Sequence, residues 1–217
     1  RIKILLNDLG VEKFKLLVEE NFSRFSNHDL ELDKQTLYEI FKYFELPSLK
    51  SNRNKIPLNN NREYINWVNQ NLIPHKILGY SVVQISLKAT NKAPGDVSSK
   101  QMLALANISD EFSFSEIRVT HEQNLILPHV ENKKLFELWS KLKKLSLATS
   151  NIGLITDTIC CPGMDYCALA TARSIPISQK ISNHFKNHLK QKELGDLKIK
   201  ISGCINACGH HHVGNIG

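Results

Sequence analysis

The chain has 217 residues, 28 of them Lys or Arg and 21 Asp or Glu, which gives a formal net charge of +7 at pH 7. Its apolar fraction of 41% is ordinary for a globular protein. No stretch approaches the roughly 20 apolar residues of a membrane span, so we expect no membrane as a partner. The lysines are dispersed without interleaved aromatic residues, which argues against nucleic acid as a partner. Because the chain begins on Arg1 and ends within a loop rich in glycine and histidine, we expect an interior fragment of a longer protein.

Residues 1–46 are predicted to be helical, because apolar side chains recur at three- and four-residue spacing. The recurring positions are Leu5, Leu6, Leu9, Phe14, Leu17 and Val18, followed by Leu37, Ile40, Phe41 and Phe44. Residues 47–63 are rich in Ser, Asn, Lys and Pro, which indicates a linker. We therefore place a domain boundary in that segment.

Residues 64–148 are predicted to form a compact α+β unit. The segment 80–87 alternates like a half-buried strand, and Asp96 or Ser98 is placed to cap the helix that follows. The remaining predicted elements are a helix over 64–72, strands over 117–120 and 125–127, and an amphipathic helix over 135–145. Strand, helix, strand, strand, helix is the order of a ferredoxin-like half domain.

Residues 149–217 are predicted to form an α/β domain, which makes the fold class of the whole chain α+β. A mostly apolar strand over 151–157 leads to the first cysteines, and a strand over 197–202 leads to the last ones. Cys167 is expected to open a helix of small residues, which Pro176 interrupts. A thiolate at such a helix N-terminus would be stabilised by the free amides.

The five cysteines all lie between positions 160 and 208. This clustering argues against a secreted disulfide framework and favours a reducing, cytoplasmic location. Cys161 and Cys167 form a C-x5-C pair, Cys204 and Cys208 form a C-x3-C pair, and four thiolates suit an iron–sulfur cluster. Spacing alone leaves a zinc site or two local disulfides open. Neighbouring side chains on an extended chain point oppositely, so at most one of Cys160 and Cys161 is expected to be a ligand.

The two cysteine pairs resemble the cluster signature of siroheme-dependent nitrite and sulfite reductases. The resemblance selects Cys161 over Cys160 and implies a [4Fe–4S] cluster held by Cys161, Cys167, Cys204 and Cys208. In that family the last cysteine also bridges the cluster to the siroheme iron, which gives Cys208 the catalytic role here. The final ten residues are especially similar to the haemoprotein subunit of bacterial assimilatory sulfite reductases. Ile205 departs from the family, which usually has proline there.

A second resemblance lies upstream of the cysteines, where residues 116–125 are similar to the R-x-T-x-x-Q-N strand pair of the same family. Strand alternation places Arg118 and Thr120 on one face, where an arginine and amides can bind tetrapyrrole carboxylates. At the other end of the chain, the resemblance of the first segment places Lys3, with Arg1, near the same carboxylates. The predicted cofactor contacts are thus Arg118, Thr120, Gln123, Asn124, Asn206 and Lys3.

The resemblance implies six-electron reduction of sulfite to sulfide at siroheme, with electrons supplied through the cluster. The positive net charge favours an acidic electron donor such as ferredoxin, or a flavoprotein subunit. The cations that grip the substrate belong to the first half of the family's proteins, so we expect the fragment to be inactive alone. Reduction of nitrite to ammonia is the near alternative, and a cluster-only electron-transfer module is the alternative from another class.

Overall fold

The computed structural model describes residues 2–25 and 30–217. The chain divides into two compact units, Arg1–Ser48 and Leu49–Gly217, and the finer boundaries given above stay predictions. The first unit is helical as predicted, with α1 (Ile2–Leu9), α2 (Val11–Phe22) and α3 (Lys34–Lys42). Asp33 caps α3 by accepting a hydrogen bond from the Thr36 amide. None of these three helices contains a buried residue, so their apolar faces stay largely exposed.

The second unit is built on a four-stranded antiparallel sheet with the order β1-β2-β4-β3. Its elements in chain order are α4 (Arg62–Asn71), β1 (Leu72–Pro74), β2 (Tyr80–Ile85), α5 (Ser99–Phe112), β3 (Arg118–Val119), β4 (Leu125–Glu131) and α6 (Leu135–Lys144). The predicted strand, helix, strand, strand, helix order is confirmed, and β1 is an additional edge strand.

One hydrophobic core lies between this sheet and its helices. It includes Trp67, Val83, Leu127 and Leu138, all fully buried. Burying such side chains contributes roughly 1.5–3 kcal/mol each, so the core is the main source of stability for this unit. The start of α5 is fixed by a capping box, in which the Ser98 and Gln101 side chains each bond the other residue's backbone.

The cysteine-bearing segment packs on that sheet with little regular structure of its own. Two very short strands, β5 (Ile159–Cys160) and β6 (Lys200–Ile201), pair in parallel, and α7 (Ile175–His184) and α8 (His188–Leu194) lie between them. The strand predicted over 151–157 is wrong, because these residues form successive turns. Gly153 has a positive φ of 75° and its amide donates to the Asp157 carboxylate, which closes the turn locally.

The helix predicted to open at Cys167 is also wrong. The amides of Thr171 and Ala172 both donate to the Gly203 carbonyl, at 2.8 and 3.0 Å, and so cannot make the local bonds of a helix. The helix begins only at Ile175, with Pro176 in its first turn, where a proline is well tolerated. Cys167 therefore does not gain the stabilisation that a helix N-terminus would give its thiolate.

Among the described residues, no helix combines the length and the apolar character needed to cross a bilayer.

Two histidines, the buried His129 and the half-buried His75, form a hydrogen-bonded pair. The Ile77 amide donates to Nδ1 of His75, so the neutral ring carries its proton on Nε2 and donates it to Nδ1 of His129 over 3.1 Å. His129 then presents Nε2–H to the Glu116 carboxylate, also at 3.1 Å. Burial lowers the pKa of His129, and Glu116 opposes that effect while His75 and Arg118 add to it.

This arrangement predicts a loss of stability in acid. Because the folded-state pKa of His129 lies below its unfolded value, the unfolded chain binds the proton more readily. The contribution of the neutral His129 to the free energy of unfolding should be present above about pH 6.5, and it should be lost as the pH falls below that value. We expect His129→Gln to flatten the decline in urea midpoint between about pH 7.5 and 5.5. His121→Gln, at an exposed position, is the matched control, and equal slopes for wild type and His129→Gln would contradict the prediction.

Candidate functional site

The two cysteine loops begin at the same end of the β5–β6 strand pair. Because the strands are parallel, their carboxyl ends lie side by side, and Cys161 and Cys204 follow within three residues. The Cys161 amide donates to the Ile201 carbonyl at 3.0 Å, which ties the start of one loop to the strand that precedes the other. The sequence predicted that both pairs follow strands, and the structure brings the two loops together.

Two of the sulfurs accept hydrogen bonds from the loops. The Gly203 amide donates to Sγ of Cys161 at 3.0 Å, and the Asn206 side-chain amide donates to Sγ of Cys204 at 3.3 Å. Ser174, which is buried, has its Oγ 3.5 Å from Sγ of Cys161. Donors of this kind stabilise a thiolate, which is the form that binds metal.

Close backbone approach explains two of the glycines. A Cβ on Gly203 would lie 2.8 Å from the Ala172 carbonyl oxygen and 3.0 Å from Cα of Gly163, so any larger residue would push the loops apart. A Cβ on Gly209 would collide with the Ile201 carbonyl. The glycines that flank the second cysteine pair thus keep both loops packed against each other.

The four cysteines differ in exposure. Cys161 is buried, Cys167 and Cys204 are partly buried, and Cys208 is exposed. In the part of the chain that the structure describes, no three His, Cys, Asp or Glu side chains stand close enough to hold a single metal ion. An iron–sulfur cluster distributes its four thiolates over separate irons and places them further apart.

A cavity of about 780 Å³ lies between the ferredoxin-like sheet and the first cysteine loop. Its walls are largely apolar, and three predicted cofactor contacts, Thr120, Gln123 and Asn124, line it together with Cys160 and Tyr166. The size falls within the roughly 300–1,000 Å³ typical of small-molecule sites. The strand-pair motif and the cysteine motif thus meet at one cavity, although they are separated in the sequence.

Other predicted contacts lie elsewhere. Arg118 stands outside the set of described residues that line the cavity, and its guanidinium bonds the Glu116 carboxylate at 2.6 Å. Lys3 is exposed on α1, in the first unit. Arg1, which was expected to act with Lys3, lies outside the described residues.

The second cysteine loop contains two left-handed residues, Ala207 and His210, with φ of 56° and 52°. Asn206, a predicted cofactor contact, uses its side-chain amide on the Cys204 sulfur. Left-handed non-glycine residues are uncommon and concentrate at functional sites.

Cys160 is engaged differently from Cys161. Its side chain is buried and its Sγ contacts the Cys161 carbonyl oxygen at 3.2 Å. Burial, with a smaller contribution from Cys161, raises the pKa of the Cys160 thiol to about 12. A thiol that stays protonated is a poor metal ligand, in keeping with the choice of Cys161.

Sequence reasoning missed the polar contacts that hold the site together. The buried Lys88 ammonium lies 3.0 Å from the Asp157 carboxylate, and Asn124 donates to the same oxygen at 2.9 Å. The Ser174 hydroxyl makes no cap hydrogen bond to the helix that follows and faces the Cys161 sulfur instead. Lys88 follows Gln84 and Ser86 on the polar side of the alternating pattern over 80–87, so the sequence carries no signal that marks it as buried.

Comparison with known proteins finds a similarity to nitrite and sulfite reductases. Residues 78–145 match the model of the nitrite/sulfite reductase ferredoxin-like half domain. The whole chain also matches "Sulfite reductase [ferredoxin] 1" of Mycolicibacterium paratuberculosis, with 22% identity over 224 residues. The chain is thus similar to nitrite and sulfite reductases, and residues 78–145 carry the ferredoxin-like half domain of those enzymes. The matched half domain is the sheet described above, so the fold and the sequence agree on this assignment.

Some of the matching relatives are named nitrite reductase and others sulfite reductase, and both groups match at similar identity. "Ferredoxin--nitrite reductase, chloroplastic" of Zea mays is 26% identical over 146 residues, which cover 66% of this chain and 24% of that protein. The mycobacterial sulfite reductase is covered over 34% of its length. The chain thus spans about a quarter to a third of these relatives. The similarity to the sulfite reductases is not greater than that to the nitrite reductases, so it extends to the family and not to one substrate.

A solved structure shares the fold. The structure of the Mycobacterium tuberculosis NirA protein aligns with 96% of this chain and 33% of its own, with a TM-score of 0.53 and 19% sequence identity. This likeness covers both the ferredoxin-like half domain and the cysteine-bearing segment.

Proposed function

We propose that this chain forms the cluster-binding part of a siroheme-dependent reductase, with sulfite as the substrate. The proposal rests on one observation. The two cysteine loops lie together at the carboxyl end of a parallel strand pair, and a largely apolar cavity lies beside the first of them. Chemistry on sulfite or nitrite by the whole protein is part of the proposal, because the chain covers only a fraction of its relatives.

The residues present fit a [4Fe–4S] cluster. Cys161, Cys167, Cys204 and Cys208 provide four thiolates, and backbone and amide donors already point at two of the sulfurs. The loops approach each other closely through Gly203, and hydrogen bonds to sulfur are one of the means by which a protein sets a cluster's reduction potential.

The cavity fits a flat, largely apolar group with polar edges. When bound, siroheme with its coupled cluster would supply the electrons that reduce the oxyanion. Thr120 lines the cavity, and its hydroxyl, which accepts from the Asn124 amide, can still donate to a carboxylate there. We propose the exposed Cys208, which is not among the residues that line the cavity, as the thiolate for the iron of the tetrapyrrole. The apolar walls would exclude water from the face of the macrocycle.

The donor is proposed to be an acidic protein such as ferredoxin. The net charge of +7 would attract such a partner, and several relatives carry ferredoxin in their names. A flavoprotein subunit would use the same attraction. The reduced thiols suit a cytoplasmic location.

Nitrite is the second candidate substrate. It is favoured by the relatives named ferredoxin–nitrite reductase, which match at 25–28% identity. Sulfite is favoured by the resemblance of the last ten residues to sulfite reductase haemoproteins.

The first test is a visible absorption spectrum with iron and acid-labile sulfide analysis on anaerobically purified full-length protein. Chlorin-type bands with cluster iron support the proposal, and the relative kcat/KM values for sulfite and nitrite with reduced methyl viologen then choose the substrate. Cluster iron without a tetrapyrrole would leave an electron-transfer module, and zinc without sulfide would overturn the proposal.

A further inference from the structure

We propose that Gln123 is a positioning residue for the iron–sulfur cysteines, and that its carboxamide fixes the peptide next to Cys161. The inference rests on the proposed function of the cysteine loops. Gln123 Nε2 donates to the Cys160 carbonyl oxygen at 2.9 Å, and Gln123 Oε1 accepts from the Cys160 amide at 3.0 Å. One side chain thus satisfies both backbone polar groups of a residue 37 positions away.

The alternation of β5 explains why these two groups need a partner. The amides of Ile159 and Cys161 donate to the Ile199 and Ile201 carbonyls on the β6 side. Because successive peptide groups of a strand point to opposite edges, both polar groups of Cys160 face away from β6. Among the described strands, only β6 pairs with β5. On the other edge of β5, the Gln123 side chain makes the two hydrogen bonds that a neighbouring strand would otherwise make.

Gln123 itself is held in a tight turn between β3 and β4. Its amide donates to the Thr120 carbonyl at 3.2 Å, and the Thr120 hydroxyl accepts from the Asn124 amide at 3.1 Å. Gln123 has a positive φ of 59°, and a Cβ on Gly95 would approach its side chain to 3.1 Å. The backbone and its surroundings therefore direct the side chain towards Cys160.

The same turn also contacts the cysteine-bearing segment at Asp157, through Asn124. Asn124 is buried and donates from Nδ2 to the Asp157 carboxylate at 2.9 Å, while its Oδ1 accepts from the Leu87 amide at 3.0 Å. Two consecutive side chains of the strand-pair motif thus hold positions 157 and 160, immediately before Cys161. Both ends of the Gln123 amide bond the Cys160 backbone, which gives the side chain a role in holding the cysteine loop.

The test compares Gln123→Met with wild type in the full-length holoprotein. Methionine keeps the length of the side chain and removes both hydrogen bonds. We expect amide hydrogen exchange at Cys160 to quicken about tenfold, as for the loss of one hydrogen bond. Iron release to a chelator should quicken by about 10- to 100-fold, the range for residues that support metal ligands. The EPR spectrum of the reduced cluster should change with it.

Two further variants separate positioning from general destabilisation. Gln123→Glu keeps the acceptor for the Cys160 amide, so iron release should lie between wild type and Gln123→Met. Gln101→Met is the matched control, because Gln101 also donates to a distant backbone carbonyl, that of Leu145 at 2.8 Å, within the same unit. It should leave iron release and the EPR spectrum unchanged.

The outcomes distinguish this inference from the proposed function. If the wild type holds a cluster but Gln123→Met keeps the wild-type iron release and Cys160 exchange, the inference is overturned and the function stands. Loss of the tetrapyrrole with cluster stability unchanged would also overturn it, in favour of a direct cofactor contact. A wild type without iron and sulfide would instead remove the proposed function on which the inference rests.

Discussion

Replacing Cys161 by serine is expected to lower the affinity for cluster iron by more than about 100-fold, since residues that merely support ligands already account for about 10- to 100-fold. Cys161 is buried, accepts a hydrogen bond from the Gly203 amide and lies next to the Ser174 hydroxyl. A serine hydroxyl has little tendency to ionise and cannot replace the thiolate. The measurement is iron and acid-labile sulfide per chain after anaerobic purification.

The adjacent cysteine provides a matched control. Cys160→Ser changes the same atom one position earlier, in a side chain that is equally buried and directed at the Cys161 carbonyl. We expect Cys160→Ser to retain the iron and sulfide content of the wild type. Equal loss in both variants would show that burial at this position, and not ligation by Cys161, governs cluster content.

Breaking the buried ion pair between Lys88 and Asp157 is expected to lower the free energy of unfolding by about 3–5 kcal/mol. The two side chains are 1% and 6% exposed, and their charged atoms lie 3.0 Å apart. In Lys88→Met the Asp157 carboxylate stays buried without its counter-charge, although Asn124 and Gly153 still donate to it. Urea unfolding monitored by circular dichroism gives the size of the loss.

The double variant Lys88→Met/Asp157→Asn tests the cause. It removes both charges and keeps an acceptor oxygen for one of the two donors, the Asn124 side chain or the Gly153 amide, so part of the lost stability should return. Lys133→Met, which breaks the exposed pair with Glu131, is the control and should have a far smaller effect. A loss of under about 1 kcal/mol in Lys88→Met, as for an exposed pair, would contradict the prediction.

The sequence predicted those parts of the fold that depend on local pattern. Strand alternation over 80–87 and the apolar face of 135–145 correspond to β2 and α6, because each pattern reflects which face of the element is buried. The position of the second cysteine pair after a strand was also predictable, because the alternation over 197–202 contains β6. These features need only neighbouring residues for their explanation.

The errors in the prediction come from contacts between distant residues. The amides of Thr171 and Ala172 bond a carbonyl at position 203, which removes the helix that their small side chains favour. The apolar run at 151–157 looks like a strand, but its ends are held by Lys88 through Asn151 and Asp157. Residue spacing does not report such pairings.

The shortness of β5 and β6 has a consequence for the order of folding. Two-residue strands supply few backbone hydrogen bonds of their own. The segment before Cys161 is held instead by Gln123, 37 positions from Cys160, and by Lys88, 69 positions from Asp157. Such contacts incur a loop-closure entropy that is recovered only once the ferredoxin-like half domain has formed. We therefore expect newly made chains to fold that half domain first. The proposed iron–sulfur cluster would then bind late, after the half domain has fixed the two cysteine loops in place.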